Sequence, residues 1–227
     1  MRDPLANFDW PSLYRRYDET CRGYRSYSSL LAVFGSRPPA SDRALYYELI
    51  NRFSPAESFS CVKPLGIYEA LLYWKLYSQG RAIKNIGKWI GNNADERQRI
   101  QEDLIALFGS LPSVLHRDVK EILSIIRMFD EFEIPVMKNL TALPVRTTFL
   151  HFLYPSIVPI FDQYVLKAVG AWKDNANHNI QALEKYLPHA WMLSDKYANQ
   201  ATAFRETSLR IIDMALWVAR GRQIESC

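Results

Sequence analysis

Cysteine is scarce, with Cys21, Cys61 and Cys227 the only three in 227 residues. None falls in a CxxC pair, and an odd count suits reduced thiols better than a disulfide framework. Histidine is equally thin. His116, His151, His178 and His189 share no metal-ligand spacing with one another or with the cysteines, so neither a zinc site nor any other cofactor is expected. No apolar run is long enough to span a bilayer, and the opening "MRDPLANFDW" lacks an apolar signal core. The expectation is a cytoplasmic protein with no membrane partner. Alternating β-branched runs are missing, as are Asn-Gly and Asp-Gly hairpin turns, which points away from a β architecture. No residue pattern specifies an oligomeric state.

Aromatic side chains are abundant instead, with 13 Tyr, 11 Phe and 6 Trp. They can fill a core or line a pocket for a flat ligand. Hydrophobic residues make up 48% and charged residues 23%, ordinary for a globular chain that buries a core of its own. The net charge of +4 is modest but uneven. Residues 63–91 hold five basic side chains and one acid, and residues 134–173 hold four and one, whereas residues 92–133 hold five and nine. If the two basic segments meet in space, they form a patch able to contact phosphates; scattered solvated charge is the bland alternative.

The hydrophobic period is helical nearly throughout. "SDRALYYELINRF" offers Ser41 as an N-cap and spaces Leu45, Leu49 and Phe53 four apart. "GIYEALLYWKLYS" sets Ile67, Leu71 and Trp74 on one face, and "DERQRIQEDLIALFGSLP" ends with Gly109 as a C-terminal stop. "SVLHRDVKEILSIIRMFDEF" carries Val119, Leu123, Ile126 and Met128 on its apolar side. "NIQALEKYLPHAWMLSDKYANQ" and "AFRETSLRIIDMALWVARGRQ" follow, with Pro188 expected to break or kink the first. Loops fall at 35–41, 54–64, 91–95 and 171–178. An all-α chain of roughly nine to eleven helices follows if mean helix lengths apply.

One stretch combines an apolar helix with a lone acid. "IPVMKNLTALPVRTTFLHFLYP" reads as two short helices, over 134–141 and 146–154, joined by a tight turn at 142–145. Pro144 suits a first helical turn, where its missing N–H is not needed. Such a hairpin offers backbone N–H groups to an anion, with Arg146 at its mouth; an ordinary packed αα-hairpin is the other reading. The chain then breaks at Pro155 and Pro159 and delivers Asp162 after Ile160 and Phe161.

These residues resemble the helix-hairpin-helix DNA glycosylase superfamily, whose hairpin leads through a helix to an essential aspartate. The chain is most similar to uncharacterised bacterial members with a Pro-Val turn, a Leu-His-Phe helix, a Pro and an apolar run ending in Asp, here "LPVRTTFLHFLYPSIVPIFDQYV". Two further segments fit. "YEALLYWKLYSQGR" supplies Trp74, Lys75 and Arg81, and "LRIIDMALW" supplies Asp213 and Trp217. The resemblance covers residues 64–88 and 134–218. It implies one two-lobed helical domain over 1–227, a hairpin element over about 134–154, and DNA as partner. It places Asp162 as catalytic carboxylate in the cleft between the lobes. The hairpin glycines of the superfamily are absent, which weakens the phosphate grip expected there. Arg146, Thr147 and Thr148 stand where bifunctional members carry a lysine nucleophile. A guanidinium stays protonated and cannot form a Schiff base, so the implied activity is monofunctional hydrolysis of a flipped base's N-glycosidic bond. A non-catalytic DNA-binding or protein-interaction module with the same fold is the alternative.

Each candidate residue carries two readings. A carboxylate at position 162 can stabilise a developing sugar cation, or it can cap the helix that begins at Gln163. Lys84 and Lys88, with Arg81 one turn earlier, suit phosphates or a solvated face. Lys138 and Arg146 complete the expected DNA contacts. Tyr77 and Trp89, with Asn85 between them, can stack on or read a base, or be core. Lys75 follows a core tryptophan and is expected to snorkel. His151 reads as a satisfied core histidine, Asp213 as a structural acid that pairs with an arginine or caps a neighbouring helix, and Asp130, Glu131 and Glu133 as a solvated turn.

Overall fold

The computed structural model describes residues 1–25, 30–35, 37–53, 64–138, 142–171 and 180–220; the side chains of Ala32 and Arg81 lie outside the description. The described residues are helical with no strand among them. Their α-helices are α1 (Leu13–Thr20), α2 (Leu30–Phe34), α3 (Asp42–Arg52), α4 (Pro64–Leu76), α5 (Gly80–Trp89), α6 (Ala94–Ser110), α7 (Val119–Met128), α8 (Leu143–Leu153), α9 (Gln163–Ala168), α10 (Ile180–Lys196), α11 (Ala198–Phe204) and α12 (Ser208–Ala219). Single 3-10 turns lie at Trp10–Ser12 and Phe129–Glu131. That is twelve α-helices among the described residues, one more than the upper expectation, because α2, α9 and α11 are only five to seven residues long. Of the expected loops, 54–63 and 172–178 lie outside the described residues.

Two compact units make up the chain. The first joins Met1–Thr20, Leu115–Arg127 and Leu140–Cys227; the second joins Cys21–Val114 and Met128–Asn139. In the second, α4 is the hub against which α2, α3, α5 and α6 pack. Its sequence explains this. From Ile67 to Trp74 every residue is buried, so the helix is apolar all round and must be enclosed by others. Glu69 is the one acid in that run, and Arg97 of α6 lies 4.0 Å from it. Trp74 is core, tilted against Tyr46 at 5.7 Å. In the first unit α12 has the same role, packing against α1, α9, α10 and α11.

Local signals account for several helix ends. Ser41 caps α3 by accepting from the Ala44 N–H at 3.2 Å. Asn93 caps α6 by accepting from Glu96 N–H, while the Glu96 carboxylate accepts in return from Asn92 N–H, both at 2.9 Å. Gly109 does not stop α6. The helix runs to Ser110 and ends at Leu111, which is extended (φ −81°, ψ 142°) because Pro112 follows it. Pro188 does not break α10, which is continuous from Ile180 to Lys196. Pro188 is exposed there, where water can take up the carbonyl one turn back.

The expected hairpin forms only in its second half. Residues 134–138 are a turn, not a helix: Met137 N–H donates to the Ile134 carbonyl, and Val136 adopts a left-handed φ of 68° next to Pro135. Residues 139–141 lie outside the described residues. Helix α8 begins at Leu143, three residues earlier than expected, with Pro144 in its first turn.

Candidate functional site

Asp162 is positioned from α8. That helix buries every residue from Val145 to Leu153 and serves as a post for the chain that follows it. His151 is 0% exposed, and its Nδ1–H donates to the Val158 carbonyl at 2.7 Å. Thr147 Oγ1 donates to the Leu143 carbonyl and accepts from Phe161 N–H at 3.3 Å. Trp191 of α10 donates from Nε1 to the Ile157 carbonyl at 2.7 Å. Three side chains thus fix an irregular run, 155–161, whose backbone groups would otherwise be buried without partners. The run ends at Asp162 in extended conformation, φ −154° and ψ 178°.

There the carboxylate is the N-cap of α9. Its Oδ1 accepts from Tyr164 N–H at 2.8 Å and from Val165 N–H at 3.1 Å. Asp162 is half-buried, and a further polar group gathers beside it. Tyr186 packs its ring on Phe161 at 5.7 Å. Burial pushes the Tyr186 phenol up, and the charges of Asp213 and Asp162 push the same way, so its hydroxyl stays protonated. Asp213 pairs at 2.6 Å with Arg210, which is 1% exposed and also donates to Tyr17 Oη at 3.1 Å. Of the two structural roles expected of Asp213, the arginine partner is the one observed. Tyr164 meets Trp217 edge to face at 5.0 Å, and the Arg220 guanidinium lies over both rings, 3.2 Å from Trp217 and 4.2 Å from Tyr164. Tyr164, Tyr186, Arg210 and Arg220 were not picked out from sequence. The i, i+3 spacing of Arg210 and Asp213 was a usable signal for one of them.

Arg146 is not at an exposed helix mouth. It is 0% exposed, and its Nη1 donates at 2.6 Å to the carbonyl of Ile126, in the last turn of α7. The guanidinium satisfies a helix-end carbonyl that would otherwise lack a partner. Its place follows from α8 being buried on all sides, which encloses any residue at 146.

The other expected contacts lie in the second unit. In α5, Lys84 and Lys88 are exposed one turn apart, while Ile86 and Ile90 are buried on the opposite side. Neither lysine pairs with an acid among the described residues, and the helix itself, "GRAIKNIGKW", contains none. Asn85 and Trp89 are half-buried, and neither makes a hydrogen bond or ring contact with another described residue. Arg81 lies in α5, its side chain outside the described residues. Tyr77 belongs to a different group: it meets Tyr24 at 5.4 Å and Tyr73 at 6.3 Å, so it packs within a tyrosine cluster. Lys138 is exposed and ion-paired with Glu133. Lys75 is half-buried, and Asp130 and Glu131 are exposed in a 3-10 turn.

Cys21 is buried and in no disulfide; Cys61 and Cys227 lie outside the described residues. No group of three or more His, Cys, Asp or Glu side chains among the described residues could hold a metal ion. None of the described helices is long and apolar enough to cross a membrane. No family model, no curated protein and no solved structure matches the chain.

Proposed function

We propose that this protein binds DNA through phosphate contacts made by α5, without chemistry at Asp162. The observation that carries this reading is the pair Lys84 and Lys88: exposed, one turn apart, unneutralised by any described acid, on a helix with no acid of its own. Cations so placed displace counterions from a phosphate backbone, and that release drives sequence-independent binding. Arg146 is left out of the contact set because it is enclosed. Lys138 contributes less, since Glu133 already neutralises it. The role of Asp162 is the cap it makes on α9.

The test is the affinity for a duplex across a salt series. The logarithm of the binding constant should fall linearly with the logarithm of salt, by about 0.9 per phosphate neutralised. Substituting Lys84→Ala and Lys88→Ala together should lower that slope by about two contacts' worth and weaken all sequences alike. Binding that ignores salt, or a double variant with unchanged slope, would refute the assignment to α5.

A second reading is monofunctional base hydrolysis at Asp162. It is favoured by the half-exposed position of this carboxylate after an apolar run, where it accepts from the backbone N–H of Tyr164, whose ring meets Trp217. Incubation with a panel of modified duplexes, then alkali, tests for base release. In this reading Asp162→Asn abolishes release while the melting temperature holds, because asparagine keeps the cap and removes the charge. Borohydride should trap no adduct, since no lysine stands at 146–148.

A further inference from the structure

The solvent face of α5 has a polarity of its own across its width. At about 100° per residue, Lys84, Lys88, Asn85 and Trp89 follow one another around about 140° of the helix, in that order. The backbone position of Arg81 falls in the same arc. The two cations lie at one edge, the amide sits in the middle, and the indole lies at the other edge. All four side chains are exposed or half-buried and without a partner among the described residues. A duplex leaves the indole edge of such a face unused. It presents phosphates and base edges, while the flat surfaces of its bases are covered by stacking. An indole without a ring partner is matched by a base whose flat surface is open, and the neighbouring amide by the edge of that base.

We infer that this face of α5 is a platform for single-stranded DNA, in which Lys84 and Lys88 hold the phosphates, Trp89 stacks on an unpaired base and Asn85 hydrogen-bonds its edge. This rests on the DNA-binding reading of α5 and adds the form of DNA that it prefers. Single strands have phosphates along one side and bases along the other, the same division that runs across the arc. Sequence preference is weak, because every base offers a stacking surface.

The probe is a fluorescently labelled thymidine oligonucleotide, compared by anisotropy at low salt with a blunt duplex and with a uridine oligoribonucleotide of the same length. The intact protein should bind the single DNA strand roughly ten-fold or more tighter than the duplex. Trp89→Ala should bring single-strand affinity down to the duplex level and leave duplex affinity unchanged. Trp89→Leu keeps apolar bulk against the protein without the indole surface and should behave like alanine, whereas Trp89→Phe should retain part of the preference. Circular dichroism confirms that each variant is folded. Lys84→Ala with Lys88→Ala should weaken both forms. Equal affinity for strand and duplex, or Trp89→Ala and Trp89→Leu with undiminished single-strand binding, overturns the platform while leaving DNA binding by α5 intact. Equal or tighter binding of the RNA overturns the assignment to DNA. Absence of binding to any of the three probes overturns the platform together with the reading it rests on.

Discussion

Asp162 has a structural role that its place in the chain explains. It follows an apolar run that crosses the core, and it caps the helix that starts immediately after it. One oxygen takes two backbone N–H groups of α9, at 2.8 and 3.1 Å. Replacement by alanine leaves both donors unsatisfied and should lower stability by about 1 kcal/mol, while asparagine should cost little of that. Urea denaturation of the two variants measures the difference; equal and negligible losses would show that the cap contributes nothing. His151 and Arg146 teach the same lesson. Both are fully buried polar residues of α8, and each donates to a carbonyl of another segment. The role of His151 was legible because its neighbours on both sides are apolar. The role of Arg146 was not, because its partner, Ile126, is twenty residues away and nothing local announces it.

At the scale of elements, caps and periodicity were readable and exceptions were tertiary. The helix expected over 41–53 is present as α3, with Ser41 as its cap. The end of α6 was misplaced because glycine suggests a left-handed stop, whereas the constraint actually comes from Pro112 acting on Leu111. This difference is testable. Gly109 is helical and exposed, and a Cβ built there meets nothing within 4 Å. Gly109→Ala should therefore stabilise the protein by about 0.5–1 kcal/mol through reduced freedom of the unfolded chain. A loss of that size in thermal unfolding would mean the position needs a left-handed conformation after all. The helix expected over 134–141 failed at 134–138 for a reason present in the sequence: Pro135 interrupts its start, and the chain turns at Val136. Helix α9 was anticipated only through its cap, since six residues are too few to show a period.

At the scale of the whole chain, distant segments are tied by polar groups that titrate. Within the first unit, Arg2 donates to the carbonyls of Val169 and Ala168. Asp3 accepts from Lys196 at 2.6 Å and from Tyr197 at 2.9 Å. His189 donates from Nε2 to the Arg2 carbonyl at 3.0 Å. Partial burial works to raise the Asp3 carboxyl, but hydrogen bonds from Lys196, Leu5 N–H and Tyr197 outweigh it and hold it below its ordinary 3.8. Burial holds His189 below its ordinary 6.5. Both groups bind a proton more readily in the unfolded chain, so both contributions to stability are lost on acidification. The melting temperature should fall first as pH drops through 6.5, from His189, and again below 3.8, from Asp3. His189→Gln should remove the first stage alone. A melting temperature that is flat between pH 7 and 5, or a first stage that persists in His189→Gln, contradicts this. None of these ties was legible in sequence, since their partners lie more than 160 residues apart.

The proposed surface for DNA is α5. Lysine reactivity tests it most directly. Acetylation with limiting acetic anhydride, read by mass spectrometry with and without a saturating oligonucleotide, compares exposed lysines within one sample. Lys84 and Lys88 should lose reactivity when DNA is added, whereas Lys120, Lys167 and Lys185, also exposed but on α7, α9 and α10, should keep theirs. Protection of Lys120, Lys167 or Lys185 with Lys84 and Lys88 unchanged would put the DNA elsewhere and contradict the claim.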